Sequence, residues 1–163
     1  MVYKTPLSWR FCGSKYAYIY TIYSIEYRLC YVGQTNDSVG IIGRLNGHLS
    51  NNGTFRNHFE KEIGIPLDNV KDLIIISSIL SDDDNSFTSS LSSYREGVEY
   101  LVKKYLMELM GKKDVFLRIV GDTRSLSTTS LNLINDTAKQ ISSEMFSELE
   151  NDYKTCFKKV IGK

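Results

Sequence analysis

The chain has 163 residues, 42% of them hydrophobic, with 20 lysines and arginines against 19 aspartates and glutamates. That length can bury a sizeable core within one domain, and a net charge of +1 argues against a protein that coats nucleic acid through a broad basic field. With no apolar run long enough to span a membrane and no export signal, the expectation is an intracellular chain without a membrane partner, whose Cys12, Cys30 and Cys156 are reduced packing residues without metal-ligand spacing.

Residues 1 to 15 carry Pro6, Trp9 and Phe11 and read as an arm packed on the domain, with Trp9 in the core rather than a platform for a base. Tyr16 to Ser24 is rich in aromatic and β-branched residues and reads as a strand, with Leu29 to Val32 as its hairpin partner and Glu26 and Arg28 in the turn. Val39 to Ser50 reads as a helix that buries Ile41, Ile42, Leu45 and Leu49, with Arg44 and His48 flanking that stripe. The turn Asn51-Asn52-Gly53 ends it, and Thr54 is the expected N-cap of a second helix carrying Phe55, Phe59 and Ile63. On that helix His58 reads as a surface residue, and Arg56 reads equally as a phosphate contact or a solvated charge.

Beyond Pro66, Asp72 to Leu80 is nearly continuously apolar, which predicts a third strand in a central position. Ser81 to Ser93, with Asp82-Asp83-Asp84, reads as a mobile loop. A strong helix is predicted over Tyr94 to Met110, with Tyr94, Val98, Leu101, Val102, Tyr105 and Leu109 on one face and Gly111 as its stop. After a short strand within Val115 to Val120 and the Ser/Thr-rich stretch Ser125 to Ser130, a last amphipathic helix carries the stripe Ile134, Ala138, Ile141, Met145, Leu149, Tyr153, Cys156 and Val160. That stripe either completes the core or, left exposed, calls for a partner, and the expectation is a homodimer or a protein partner docking through this helix.

The chemistry concentrates in the first third. Tyr18-Ile19-Tyr20 and Tyr31-Val32-Gly33 sit on neighbouring strands, and Arg44 and His48, one helical turn apart, can point at one spot. The first 60 residues hold six basic residues against three acidic ones, a local excess that suits a phosphate substrate. A guanidinium stays charged and can grip two phosphate oxygens, while an imidazole can take or relay a proton near neutrality. A phenol is a poor base unless a cation lowers its pKa, so Tyr20 or Tyr31 either acts as the general base or only positions a water. Gly33 is expected to let the backbone turn out of the strand, with Gln34 and Thr35 as further phosphate donors.

This ordered set, aromatic hairpin, Tyr-Val-Gly-Gln-Thr, helix with Arg44 and His48 and a distal helix with a glutamate, resembles the GIY-YIG endonucleases over roughly Tyr16 to Leu109. Tyr18 stands where the family has its first glycine, and the stretch Asp37 to Gly43, with two glycines, is longer than in compact members and is expected to reshape substrate entry. The resemblance implies hydrolysis of DNA phosphodiesters with Mg²⁺ or Mn²⁺ held by a glutamate near the start of the long helix. Glu99 borders that helix's apolar face and Glu96 lies opposite, so Glu99 is the expected metal ligand. The expected fold is α/β in the α+β sense: a three-stranded, mainly antiparallel sheet flanked by helices, with a nuclease core and arm over residues 1–122 and a helical extension over 123–163. The expected catalytic set is Tyr20, Tyr31, Arg44, His48 and Glu99, acting on DNA in a restriction or phage-defence enzyme. The alternatives are a catalytically silent nucleic-acid-binding module and a nuclease subunit directed by a partner.

Overall fold

Strand β1 (Ala17–Ser24) is buried at every position, because both its edges are paired along nearly their whole length and helices cover both faces. It pairs antiparallel with β2 (Leu29–Thr35) through a turn in which Arg28 takes a φ of 53°, and antiparallel on its other edge with β3 (Ile74–Leu80). A fourth strand, β4 (Arg118–Val120), joins β2 in parallel, giving the order β3-β1-β2-β4. The computed structural model describes residues 16–80, 86–121 and 126–161, with side chains to residue 156. Trp9, Phe11, Cys12, the Asp82-Asp83-Asp84 cluster and the side chain of Val160 lie outside them.

The sheet is therefore four-stranded and mixed where three mainly antiparallel strands were expected, within the α+β class. Three residues are too few for β4 to show alternation, and a hydrogen bond from the Arg118 N–H to the Arg28 carbonyl (2.8 Å) helps to seat it. The predicted central strand is an edge strand. Its apolar run reflects burial of both faces: Ile74 and Ile76 lean on one core while Ile75 and Ile79 lean on the other. Having two covered faces is a separate property from having two paired edges, and only the former is written in a hydrophobic run.

Helices α1 (Gly40–Leu49) and α2 (Thr54–Ile63) serve one face, and α3 (Ser93–Lys112) and α4 (Asn132–Ile161) the other. The α3/α4 side holds the larger core, with Ile19, Tyr23, Cys30, Val32, Val98, Val102 and Leu106 among its members. On the opposite face Tyr18, Tyr20, Ile22 and Tyr31 meet Ile41, Phe55 and Phe59. Alternation along β1 thus sends even-numbered side chains to one layer and odd-numbered ones to the other.

The details revise several expectations. On α1 the buried side is Ile41 and His48 with Leu45 between them, while Leu49 is 41% exposed, as the 3.6-residue period dictates once Ile41 is the anchor. Gly40 and Gly43 lie inside α1, so the stretch from Asp37 is a tight turn followed by a helical turn. The Asp37 carboxylate accepts the Val39 N–H at 2.8 Å, and Gly40 takes a φ of 65°. Gly53, not Thr54, is the N-cap of α2. Helix α3 runs through Gly111 and buries Leu106 and Met110 as well as the predicted Val98, Leu101 and Val102, while Tyr94, Tyr105 and Leu109 are half-buried against the same core.

The stripe of α4 is core. Ile134, Ala138, Ile141, Met145, Leu149 and Tyr153 are all buried in the same cluster as Ile19 and Val102, so the larger core runs across the 122/123 division. Tyr23 Oη donates to Asp152 Oδ2 at 2.5 Å from the centre of the sheet. Among the described residues of the stripe, Cys156 alone is exposed. The apolar surface that suggested an interface is covered by the chain itself. Among the described residues no helix is long and apolar enough to cross a membrane.

Candidate active site

Register decides which hydroxyls meet. Tyr20 lies opposite Gly33 and Ile22 opposite Tyr31, so Tyr20 and Tyr31 are diagonal neighbours on the α1/α2 face, with ring centroids 6.5 Å apart. The Tyr20 ring crosses directly above Gly33: a Cβ there would collide with the phenol's Cζ and hydroxyl. Gly33 stays within β2, so its lack of a side chain is what the site uses, rather than a change in chain direction. Tyr18 is accommodated as a buried residue of β1 against Tyr16.

His48 is 2% exposed, its ring set between Tyr20 (5.7 Å) and Tyr31 (5.3 Å). Its Nδ1 accepts the backbone N–H of Phe55 at 3.3 Å, one of the donors a helix N-terminus leaves without an intrahelical acceptor. The turn at Gly53 makes this possible, since a side chain there would strike the backbone of His48. A backbone amide can only donate, so Nδ1 carries no proton and the neutral ring bears its hydrogen on Nε2. Burial, together with the Arg44 guanidinium, lowers the imidazole's pKa to about 4, and the positive end of α2 acts in the same direction. His48 is therefore neutral near pH 7, with its Nε2–H as a donor.

The Nε2 proton points at Tyr20 Oη, with which it forms a short hydrogen bond. Arg44 Nε also donates to that oxygen, at 3.4 Å. Two donors on one phenol oxygen occupy its acceptor positions and turn its own hydrogen outward. Burial and the neighbouring Tyr31 hold the Tyr20 hydroxyl protonated well above its ordinary range, while the hydrogen bond and charge of Arg44 oppose them.

Glu99, on α3, acts electrostatically on both Tyr20 and Arg44. Its side chain is 21% exposed, and Oε1 accepts from Lys103 Nζ at 2.7 Å. Burial raises its pKa, and Lys103 opposes that shift. Glu96 instead accepts from Ser92 Oγ at 2.5 Å at the start of α3. Comparison with protein-family models, with curated proteins and with solved structures finds no match.

Tyr20, Tyr31, Arg44 and His48 thus come together and Glu99 lies within electrostatic range of Tyr20 and Arg44, whereas other candidates are committed elsewhere. Arg56 clasps Asp68 (2.9 Å), Glu60 (3.1 Å) and the Leu49 carbonyl, tying α1 and α2 to the turn Leu67–Asn69. Glu60 and Glu62 are taken by Arg56 and Arg118, which leaves Arg44 to the tyrosine. Gln34 Oε1 accepts from Arg95, and Thr35 Oγ1 from the Asp37 N–H. Sequence reasoning passed over two residues. Lys103 is legible afterwards, since Glu followed four residues later by Lys is the favourable helical order. Arg95 carries no such signal: it is 3% exposed on α3 and bonded to Gln34 and to the carbonyls of Phe87, Ser89 and Leu91.

The donor set around Glu99 suits only one kind of metal site. Among the described residues no group of three or more His, Cys, Asp and Glu side chains converges. A single partly exposed carboxylate fits a hard, hydrated divalent cation that takes its remaining ligands from water and from phosphate oxygens.

Proposed function

We propose that the chain is a divalent-metal-dependent endonuclease of the GIY-YIG type that hydrolyses DNA phosphodiesters. The observation that carries this reading is the convergence of Arg44 Nε and His48 Nε2 on Tyr20 Oη. A structural tyrosine needs one partner, whereas two fixed donors on its oxygen stabilise the negative charge that forms when the proton leaves.

In this reading Tyr20 gives its own proton to bulk water as substrate and cation bind, the phenolate then takes the proton of the attacking water, and the leaving 3′ oxygen takes one from solvent, while Arg44 and His48 lower the cost of the phenolate. His48 is a positioning residue, held in one tautomer by Phe55. Arg44 is exposed beyond its contact with Tyr20 and has free guanidinium nitrogens to meet the scissile phosphate. Tyr31 packs against His48 and holds its ring. Glu99 would hold Mg²⁺ or Mn²⁺, and the cation would supply positive charge to the pentacovalent transition state. Lys103 keeps this partly exposed carboxylate charged for that purpose.

DNA is the proposed substrate and a restriction or defence role the proposed setting. A homodimer remains part of the proposal only because one small site cuts one strand per docking. The test is plasmid cleavage with the two glutamates varied. Glu99→Ala is expected to abolish cleavage while DNA binding persists, and Glu96→Ala to do little. The reverse pattern would reassign the carboxylate, and loss of neither would remove the metal site from Glu99.

A further inference from the structure

Lys103 is almost fully buried on α3, and its ammonium donates to Glu99 Oε1 at 2.7 Å. It approaches the carboxylate from the inside, the lysine side chain being 5% exposed against 21% for the glutamate, and its charge reaches the buried Cys30 thiol of β2. A glutamate and a lysine four residues apart on a helix surface contribute little to stability. Burying the ammonium is costly, and a well-packed apolar side chain would fill the space between α3 and β2 at lower cost. Stability alone gives no reason for a lysine at this position.

What the lysine changes is the charge of the site. The charged groups that act on Glu99 are Lys103 and Arg44, both positive, and Glu96, while Tyr20 and His48 beside Arg44 are neutral. Counting Glu99 itself, two positive charges cancel two negative ones. Protein sites for hard divalent cations set their affinity by the number of anionic oxygen ligands, and this one offers a carboxylate already shared with an ammonium. A phosphate entering beside Arg44 would add both the missing negative charge and further oxygen ligands.

We propose that Lys103 is a resident counter-ion of Glu99 that keeps a divalent cation from binding until a DNA phosphate is in the site, so that cation and substrate are taken up together. The inference rests on the nuclease reading. A buried ammonium has no water to retreat into, so it stays beside the carboxylate and repels the cation. The coupling is reciprocal: the factor by which DNA raises affinity for the cation is the factor by which the cation raises affinity for DNA.

The test measures Mn²⁺ bound to the full chain by electron paramagnetic resonance of the free ion, in mildly alkaline buffer to keep Glu99 ionised. It is run with and without a short duplex that carries a phosphorothioate at a mapped plasmid cleavage site, and the duplex's own uptake is subtracted. The wild type should bind Mn²⁺ roughly a hundredfold more tightly with the duplex than alone, within the usual range of coupling between sites. Lys103→Gln keeps a hydrogen-bond donor and removes the charge. It should bind Mn²⁺ without DNA roughly tenfold more tightly than the wild type, the lower end of what a residue behind a metal ligand controls, and gain less from the duplex. Wild-type Mn²⁺ affinity that is the same with and without the duplex would overturn the proposal whether or not the variant folds. A folded Lys103→Gln whose DNA-free affinity is unchanged or weaker would overturn it too. Glu99→Gln separates this from the nuclease reading: it should abolish the duplex-induced uptake, and uptake that persists beside wild-type cleavage would take the cation, and Lys103's role, away from Glu99. A wild type that neither cuts plasmid nor takes up Mn²⁺ with DNA would remove the nuclease reading itself.

Discussion

The two faces of the sheet are built from the same strands but do different things. Toward α3 and α4, Ile19, Tyr23, Cys30 and Val32 enter a core whose other walls are Val98, Val102, Leu106 and Leu149, and its few polar contacts, such as that of Tyr23 with Asp152, close within the chain. Toward α1 and α2, tyrosines and a histidine take the central places, and their polar atoms converge on one oxygen. The first face is arranged for density and the second for geometry. Stability and proposed chemistry are therefore separable by substitution, although successive residues of β1 contribute to both.

The largest effect expected from the first face is on folding. Leu149→Ala, at a fully buried position of α4, should destabilise the chain by about 2–5 kcal/mol, read as a fall in the urea midpoint, while the folded fraction keeps its cleavage rate. An unchanged midpoint accompanied by a change in oligomeric state would mean that α4 is an interface after all. On the second face, Gly33→Ala should lower the midpoint less, by the roughly 1–3 kcal/mol of overpacking against the buried Tyr20 ring. It should displace the Tyr20 ring and cost roughly a hundredfold in cleavage rate, the scale of an ångström-sized misplacement. Full activity in that variant would show that the ring does not need its place above β2.

A smaller and purely electrostatic effect concerns His48. Its folded pKa of about 4 lies below the ordinary 6.5, so the unfolded chain takes up a proton first as pH falls. The stability it contributes is fully present above 6.5, is lost progressively as pH falls toward 4, and amounts to about 3 kcal/mol across that window. Nitrogen-15 chemical shifts should report one neutral tautomer, protonated on Nε2, throughout pH 6 to 8. A ring that titrates near 6.5 would return His48 to the role of proton carrier.

Much of this second face could be read from the sequence. Tyr20, Tyr31, Arg44 and His48 are local in the chain, and strand pairing and helical spacing alone bring them together. The tautomer of His48 was not legible, because it depends on the amide of Phe55 arriving through the turn at Gly53. The place of β3 at the edge was hidden for a related reason: hydrophobic patterning records covered faces, not paired edges. The stripe of α4 was visible in the sequence, but whether it would meet its own sheet or another chain depended on the packing of distant elements. Arg95 was invisible, since its partners are main-chain carbonyls.

The central claim is that the Tyr20 hydroxyl, held by Arg44 and His48, handles the proton in phosphodiester cleavage, and the most direct measurement is cleavage of supercoiled plasmid by the wild type, Tyr20→Phe and Tyr31→Phe. With Mg²⁺ or Mn²⁺ the wild type should nick or linearise the plasmid, EDTA should abolish cutting, and Tyr20→Phe should lose about two to four decades in rate with unchanged DNA binding. Tyr31→Phe, which keeps the packing ring, should lose much less. Wild-type cutting in chelator, or a Tyr20→Phe variant that cuts as fast as the wild type, would contradict the account.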